Sequence, residues 1–80
     1  MSMESREKIR NCIRQILSRR EKNPQFGDSE PLLSAGRLHS VEVLEIAVFL
    51  EREFGVDLSA RPFDQYAFDT VDGIAAQIGQ

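Results

Sequence analysis

Residues 40–54 carry apolar side chains on two offset helical stripes, and a helix that is apolar over so much of its circumference must find cover in a chain of only 80 residues. Val43, Ile46, Ala47, Leu50 and Phe54 fall at i, i+3, i+4, i+7 and i+11, a continuous buried stripe. Val41, Leu44 and Val48 follow at i, i+3 and i+7, bordered by Glu42, Glu45, Glu51 and Glu53. One face of a small bundle needs only the first stripe. The second is either core shared with another helix or a partner-facing apolar patch with an acidic rim.

The other segments supply the rest of the bundle. From Ser5 to about Arg20, Ile9, Cys12, Ile13, Ile16 and Leu17 recur at helical spacing, and Asn23-Pro24 stops that helix. Cys12 lies on the apolar stripe and reads as a buried structural thiol. Residues 21–39 have no period, and a connection this long in so small a domain is uncommon. Leu32, Leu33 and Leu38 read as anchors against the core, and Gly36 is placed to supply a positive φ before the next helix. Gly55 ends the second helix, and Val56-Asp57-Leu58 leads on in extended form. Pro62 begins a short helical turn through about Tyr66, with Phe63, Tyr66 and Phe68 as core aromatics. Asp69 or Thr70 then caps a last helix in which Val71, Ile74, Ala75 and Ile78 share one face. The expected fold is all-α: a single domain, 1–80, of three main helices and one short helix, with a long loop between helices 1 and 2.

Charge and composition exclude several functions. A chain of this length buries only roughly 60–65% of the surface it exposes unfolded, which argues against a deep active-site cleft. Residues 1–22 hold seven Lys or Arg against three Glu, net +4, and residues 23–80 hold three Arg against ten acids, net −7. The basic segment reads as a solvated helix face. No aromatic residue lies among those cations and the whole chain is acidic, which argues against nucleic acid; the acidic two-thirds points to a basic protein partner. One cysteine makes no internal disulfide, and one Cys with one His makes no zinc site alone. The N-terminal residues lack the apolar core of a signal peptide, and the longest apolar run, residues 46–50, is far too short to cross a bilayer. A cytoplasmic, monomeric protein without a membrane partner is expected.

Ser40 opens the two-striped helix and stands where an N-cap would stand, with Val43 where a capping box would want Glu or Gln. His39 and Ser40 do not form a catalytic pair. Adjacent side chains diverge, there is no second His, and no G-x-S-x-G elbow surrounds the serine. A modified serine has a physical basis instead, since unpaired N–H donors and the positive dipole end favour a phosphate ester there.

Residues 35–56, Ala-Gly-Arg-Leu-His-Ser-Val-Glu-Val-Leu-Glu-Ile-Ala-Val-Phe-Leu-Glu-Arg-Glu-Phe-Gly-Val, resemble the serine loop and second helix of acyl carrier proteins and their peptidyl carrier relatives. Residues 28–34, with Pro31-Leu32-Leu33, resemble that family's loop, and residues 68–75 resemble the entry to its last helix. The resemblance implies a non-enzymatic carrier in fatty acid, polyketide or nonribosomal-type synthesis. Its cofactor would be 4′-phosphopantetheine, transferred from coenzyme A to Ser40, with the terminal thiol holding an acyl or aminoacyl cargo as a thioester. It implies His39 as a neighbour of the prosthetic arm and Val41, Glu42, Leu44, Glu45 and Val48 as the face offered to partners. Those partners would be a phosphopantetheinyl transferase, an acyl- or aminoacyl-loading ligase, and synthase or transferase enzymes. The family's usual tripeptide is Asp-Ser-Leu, from which His39-Ser40-Val41 departs; His before the serine is familiar among peptidyl carrier domains. The rival from another class is an unmodified helical adaptor that uses the Val41/Leu44/Val48 face.

Overall fold

The computed structural model describes residues 3–60 and 63–79, and its regular elements are all helical. Helix α1 spans Met3–Leu17, α2 spans Ser40–Phe54 and α3 spans Val71–Gln77; two 3₁₀ turns, Leu58–Ala60 and Gln65–Phe68, lie between α2 and α3. Helix α1 packs on both α2 and α3, and the 65–68 turn packs on α2 and α3. This is the expected three-helix bundle.

The apolar periodicities become one core. Ile9, Ile13, Ile16 and Leu17 of α1 meet Val43, Ile46, Ala47 and Leu50 of α2 and Val71, Ile74 and Ala75 of α3, with Phe68 closing one end. Phe54 and Ile78 are only half-buried at the helix ends. Regular α1 stops at Leu17 rather than near Arg20, although tighter bonds from Arg19 N to Ile16 O (3.1 Å) and Arg20 N to Leu17 O (3.0 Å) carry the turn onward.

The long loop is ordered by its leucines and by the entry to α3. Leu32 and Leu38 are fully buried, and Leu33 is half-buried against the core. The Leu32 carbonyl accepts from the Arg37 and Leu38 N–H groups at 2.9 and 3.0 Å, a compact turn that uses Gly36 at φ +79°. Asp69 holds the other side of this turn. Its backbone carbonyl accepts from Leu32 N at 2.7 Å, and its carboxylate accepts from Leu33 N at 2.7 Å, Ser34 N at 2.9 Å and the Ser34 hydroxyl. Burial alone would push the Asp69 carboxyl up, but the donors from Ser34, Leu33 and Leu32 outweigh it and hold the group below its usual range. With Asp69 so occupied, Thr70 caps α3, accepting from Gly73 N at 2.9 Å. Gly73 is required by contact, since a Cβ there would lie 2.5 Å from the Ala67 carbonyl oxygen.

The segment after α2 differs from the sequence expectation. Gly55 does end α2 in the left-handed region, donating to Glu51 O at 3.0 Å. Leu58, however, begins a 3₁₀ turn, because Glu51 Oε2 accepts from its N–H at 3.0 Å and curls the chain back on α2. Pro62 lies outside the described residues. Of the three aromatics expected in the core only Phe68 is there; Phe63 is 45% and Tyr66 65% exposed. Asp64 caps the four-residue turn at Tyr66 N, and so short a turn directs only its last residue inward.

Candidate functional site

The junction of the loop with α2 is bracketed by hydrogen bonds at residues 37, 39 and 42. The N-cap of α2 is His39, in extended conformation (φ −95°, ψ 154°), and Ser40 is the first helical residue. This corrects the expectation that Ser40 is the cap. Counted from His39, the third helical residue is Glu42 rather than Val43, and Glu42 Oε1 accepts from His39 N at 2.9 Å, the carboxylate half of a capping box. The His39 carbonyl accepts in turn from Glu42 N (2.9 Å) and Val43 N (3.2 Å). The Ser40 side chain is exposed, and no described residue hydrogen-bonds its hydroxyl. His39 is exposed beside it.

Five residues were expected to form the partner face, and Glu42 is separated from the other four. Val41, Leu44 and Val48 are 63%, 52% and 46% exposed, which settles the two readings of the second stripe in favour of a surface patch. Glu45 stands exposed at its edge. Glu42 is only 4% exposed, the one buried charged residue among those described. Arg20 explains how. Its guanidinium donates to Glu42 Oε2 at 2.7 Å and Oε1 at 2.8 Å, the two-pronged geometry that makes a buried carboxylate tolerable. That hydrogen-bonded fork pulls the Glu42 carboxyl down to about 2 against the opposing effect of desolvation, with the His39 N–H adding to it.

The charge asymmetry of the sequence is likewise consumed inside the molecule. Arg6 pairs with Asp28 and Asp72, Lys8 with Glu53, Arg10 with Asp28, Arg19 with Glu45 and Arg20 with Glu42. The basic segment is thus not merely a solvated face; of the acids bordering the apolar stripe, Glu42, Glu45 and Glu53 have cations, while Glu51 accepts from Leu58 N. Arg19 holds Glu45 through two bonds of 3.0 and 2.8 Å and lowers its carboxyl below the usual range. Sequence reading missed Arg20 as part of this site. No local pattern signals Arg20; the x-x-Glu spacing from His39 signals only Glu42 as a capping carboxylate, and placing the cap at Ser40 hid it.

Beside the stripe, Leu44, Ala47, Val48 and Glu51 of α2 face Leu58, Ser59 and Phe63 across an open groove of about 460 Å³. Among the described residues no group of three or more His, Cys, Asp or Glu could hold a metal ion, and no helix is long and apolar enough to cross a membrane. Cys12 is half-buried; burial first, and then Glu45, push its thiol up to about 11, the behaviour of a structural thiol.

The structure is thus a three-helix bundle with an exposed serine at the start of an apolar-faced helix. The family model described as phosphopantetheine attachment site matches residues 7–78. The chain belongs to that family, whose members are carriers of covalently attached 4′-phosphopantetheine rather than catalysts and work with a modifying transferase and with synthase enzymes. No curated protein and no solved structure matches the chain.

Proposed function

We propose that Ser40 is the residue that receives 4′-phosphopantetheine, and that the chain delivers an acyl or aminoacyl thioester to enzymes of fatty acid, polyketide or nonribosomal-type synthesis. The single observation that carries this is the state of the Ser40 side chain: exposed, hydrogen-bonded to no described residue, and at the first position of a 15-residue helix. The start of such a helix leaves its leading N–H groups without intrahelical acceptors and places a positive dipole end beside the ester phosphate. The only carboxylate in that first turn, Glu42, is buried and neutralised by Arg20, so it does not repel the phosphate. When attached, the group supplies a terminal thiol that holds the cargo as a thioester. His39, exposed on the other side of the serine, borders the arm.

Partners dock on Val41, Leu44 and Val48, with Glu45 at the edge. These are the phosphopantetheinyl transferase, a loading ligase, and the synthase or transferase that takes the cargo. The family match favours this reading over an unmodified adaptor using the same stripe. Incubation with coenzyme A and a phosphopantetheinyl transferase, followed by intact mass spectrometry, separates the two. A carrier gains the mass of one phosphopantetheinyl group and Ser40→Ala gains none; an adaptor gains nothing in either case and still binds its partner.

A further inference from the structure

Arg20 does more than neutralise Glu42. One of its nitrogens donates to the Arg37 carbonyl at 2.6 Å while also reaching Glu42 Oε1, so a single side chain from the turn after α1 ties the last residues of the loop to the first turn of α2. Arg37 is itself fixed by Glu21 at 2.7 Å and Glu30 at 2.7 Å. Glu42 completes the bracket by accepting the His39 N–H. On either side the chain is pinned by Leu38, 1% exposed, and Val43, fully buried. Ser40 is left as an exposed side chain on a backbone held at residues 37, 39 and 42.

Only the carboxylate of this pair is buried, the Arg20 side chain being 34% and the Glu42 side chain 5% exposed. Beyond what the pair contributes to stability, its bonds to both Glu42 oxygens and to the Arg37 carbonyl fix the geometry of the segment that carries Ser40. We propose that Arg20 and Glu42 are positioning residues for the modification of Ser40: they fix the His39–Ser40 backbone so that the hydroxyl is presented to the transferase in one orientation. This rests on Ser40 being the attachment residue. The carboxylate acts through the His39 N–H, and Arg20 acts by holding the carboxylate.

The test compares Glu42→Leu, Glu42→Gln and Arg20→Met with wild type in steady-state modification by a phosphopantetheinyl transferase with coenzyme A, with thermal unfolding of each by circular dichroism. Glu42→Leu removes the acceptor, and its kcat falls about tenfold with KM nearly unchanged, since misorientation affects the reacting geometry while the docking stripe is intact. Glu42→Gln retains an acceptor for His39 N–H and recovers to within about threefold of wild type; rescue of this kind would not be produced by a general loss of stability. Arg20→Met falls between them. A Glu42→Leu protein modified at the wild-type rate, or a Gln variant no better than Leu, overturns the proposal. Should Glu42→Leu not fold, Arg20→Met decides, and an unchanged kcat overturns it. Failure of the underlying reading is distinct: wild-type protein then gains no mass at all.

Discussion

At the scale of single residues, three side chains carry consequences that can be measured. Ser40 is not the cap of α2, so Ser40→Ala loses no capping bond, and its effect on unfolding free energy falls within about 0.5 kcal/mol, as for an ordinary surface change. Urea unfolding of both proteins checks this. Glu42 titrates in the folded protein near 2, below its ordinary value of 4.5, so its contribution to stability is present above about 4.5 and is lost as pH falls through about 2. Stability measured from pH 6 down to pH 2 therefore falls more steeply in wild type than in Glu42→Gln, and parallel curves would contradict the assignment. Cys12, with its thiol pushed up to about 11, resists alkylation at neutral pH in the native protein; in the loaded protein, the thiol of the prosthetic arm reacts first. What sequence reading lost at this scale was an offset of one position. Apolar periodicity locates a helix but not its first residue, and placing the cap at Ser40 instead of His39 concealed Glu42 as a capping carboxylate.

At the scale of elements, the loop and the exposed face of α2 behave differently from one another. The loop is a packed component, and Leu32→Ala costs about 2–5 kcal/mol because Leu32 is fully buried within the core, a loss read directly from chemical denaturation. The apolar stripe is a surface component. Leu44→Asp and Val48→Asp leave the unfolding midpoint nearly unchanged and slow modification by the transferase, whereas a shared-core role would have made both strongly destabilising. Because Glu45 is already paired with Arg19 and Glu42 is buried, the docking proposed for this face is expected to depend less on salt than its acidic rim suggests. Modification rates at low and moderate salt check that. The helices and the loop anchors were legible because each has an apolar spacing or an isolated apolar residue among turn formers. Phe63 and Tyr66 were not, since in a one-turn element no spacing distinguishes inward from outward, and hydrophobicity alone placed them wrongly in the core.

At the scale of the whole molecule, the described residues form a small frame in which α1 packs on both α2 and α3. Helix α1 supplies the central apolar surface, and it and the turn after it send cations to the loop and to both neighbouring helices: Arg6 to Asp28 and Asp72, Lys8 to Glu53, and Arg19 and Arg20 of the turn to the acids of α2. These long-range pairs join residues 22 to 66 positions apart, beyond the reach of any local pattern, and only the net charges of the two segments hinted at them. The serine and the apolar face beside it were legible because they lie within one helix. The clamp beneath them was not, because half of it comes from the far end of another. The measurement that bears most directly on the central proposal is tandem mass spectrometry of proteolytic peptides after modification with coenzyme A and a phosphopantetheinyl transferase. The phosphopantetheinyl mass is expected on Ser40 alone; its appearance on another serine, or an unmodified peptide spanning residue 40 in protein that has gained the mass, would contradict the assignment.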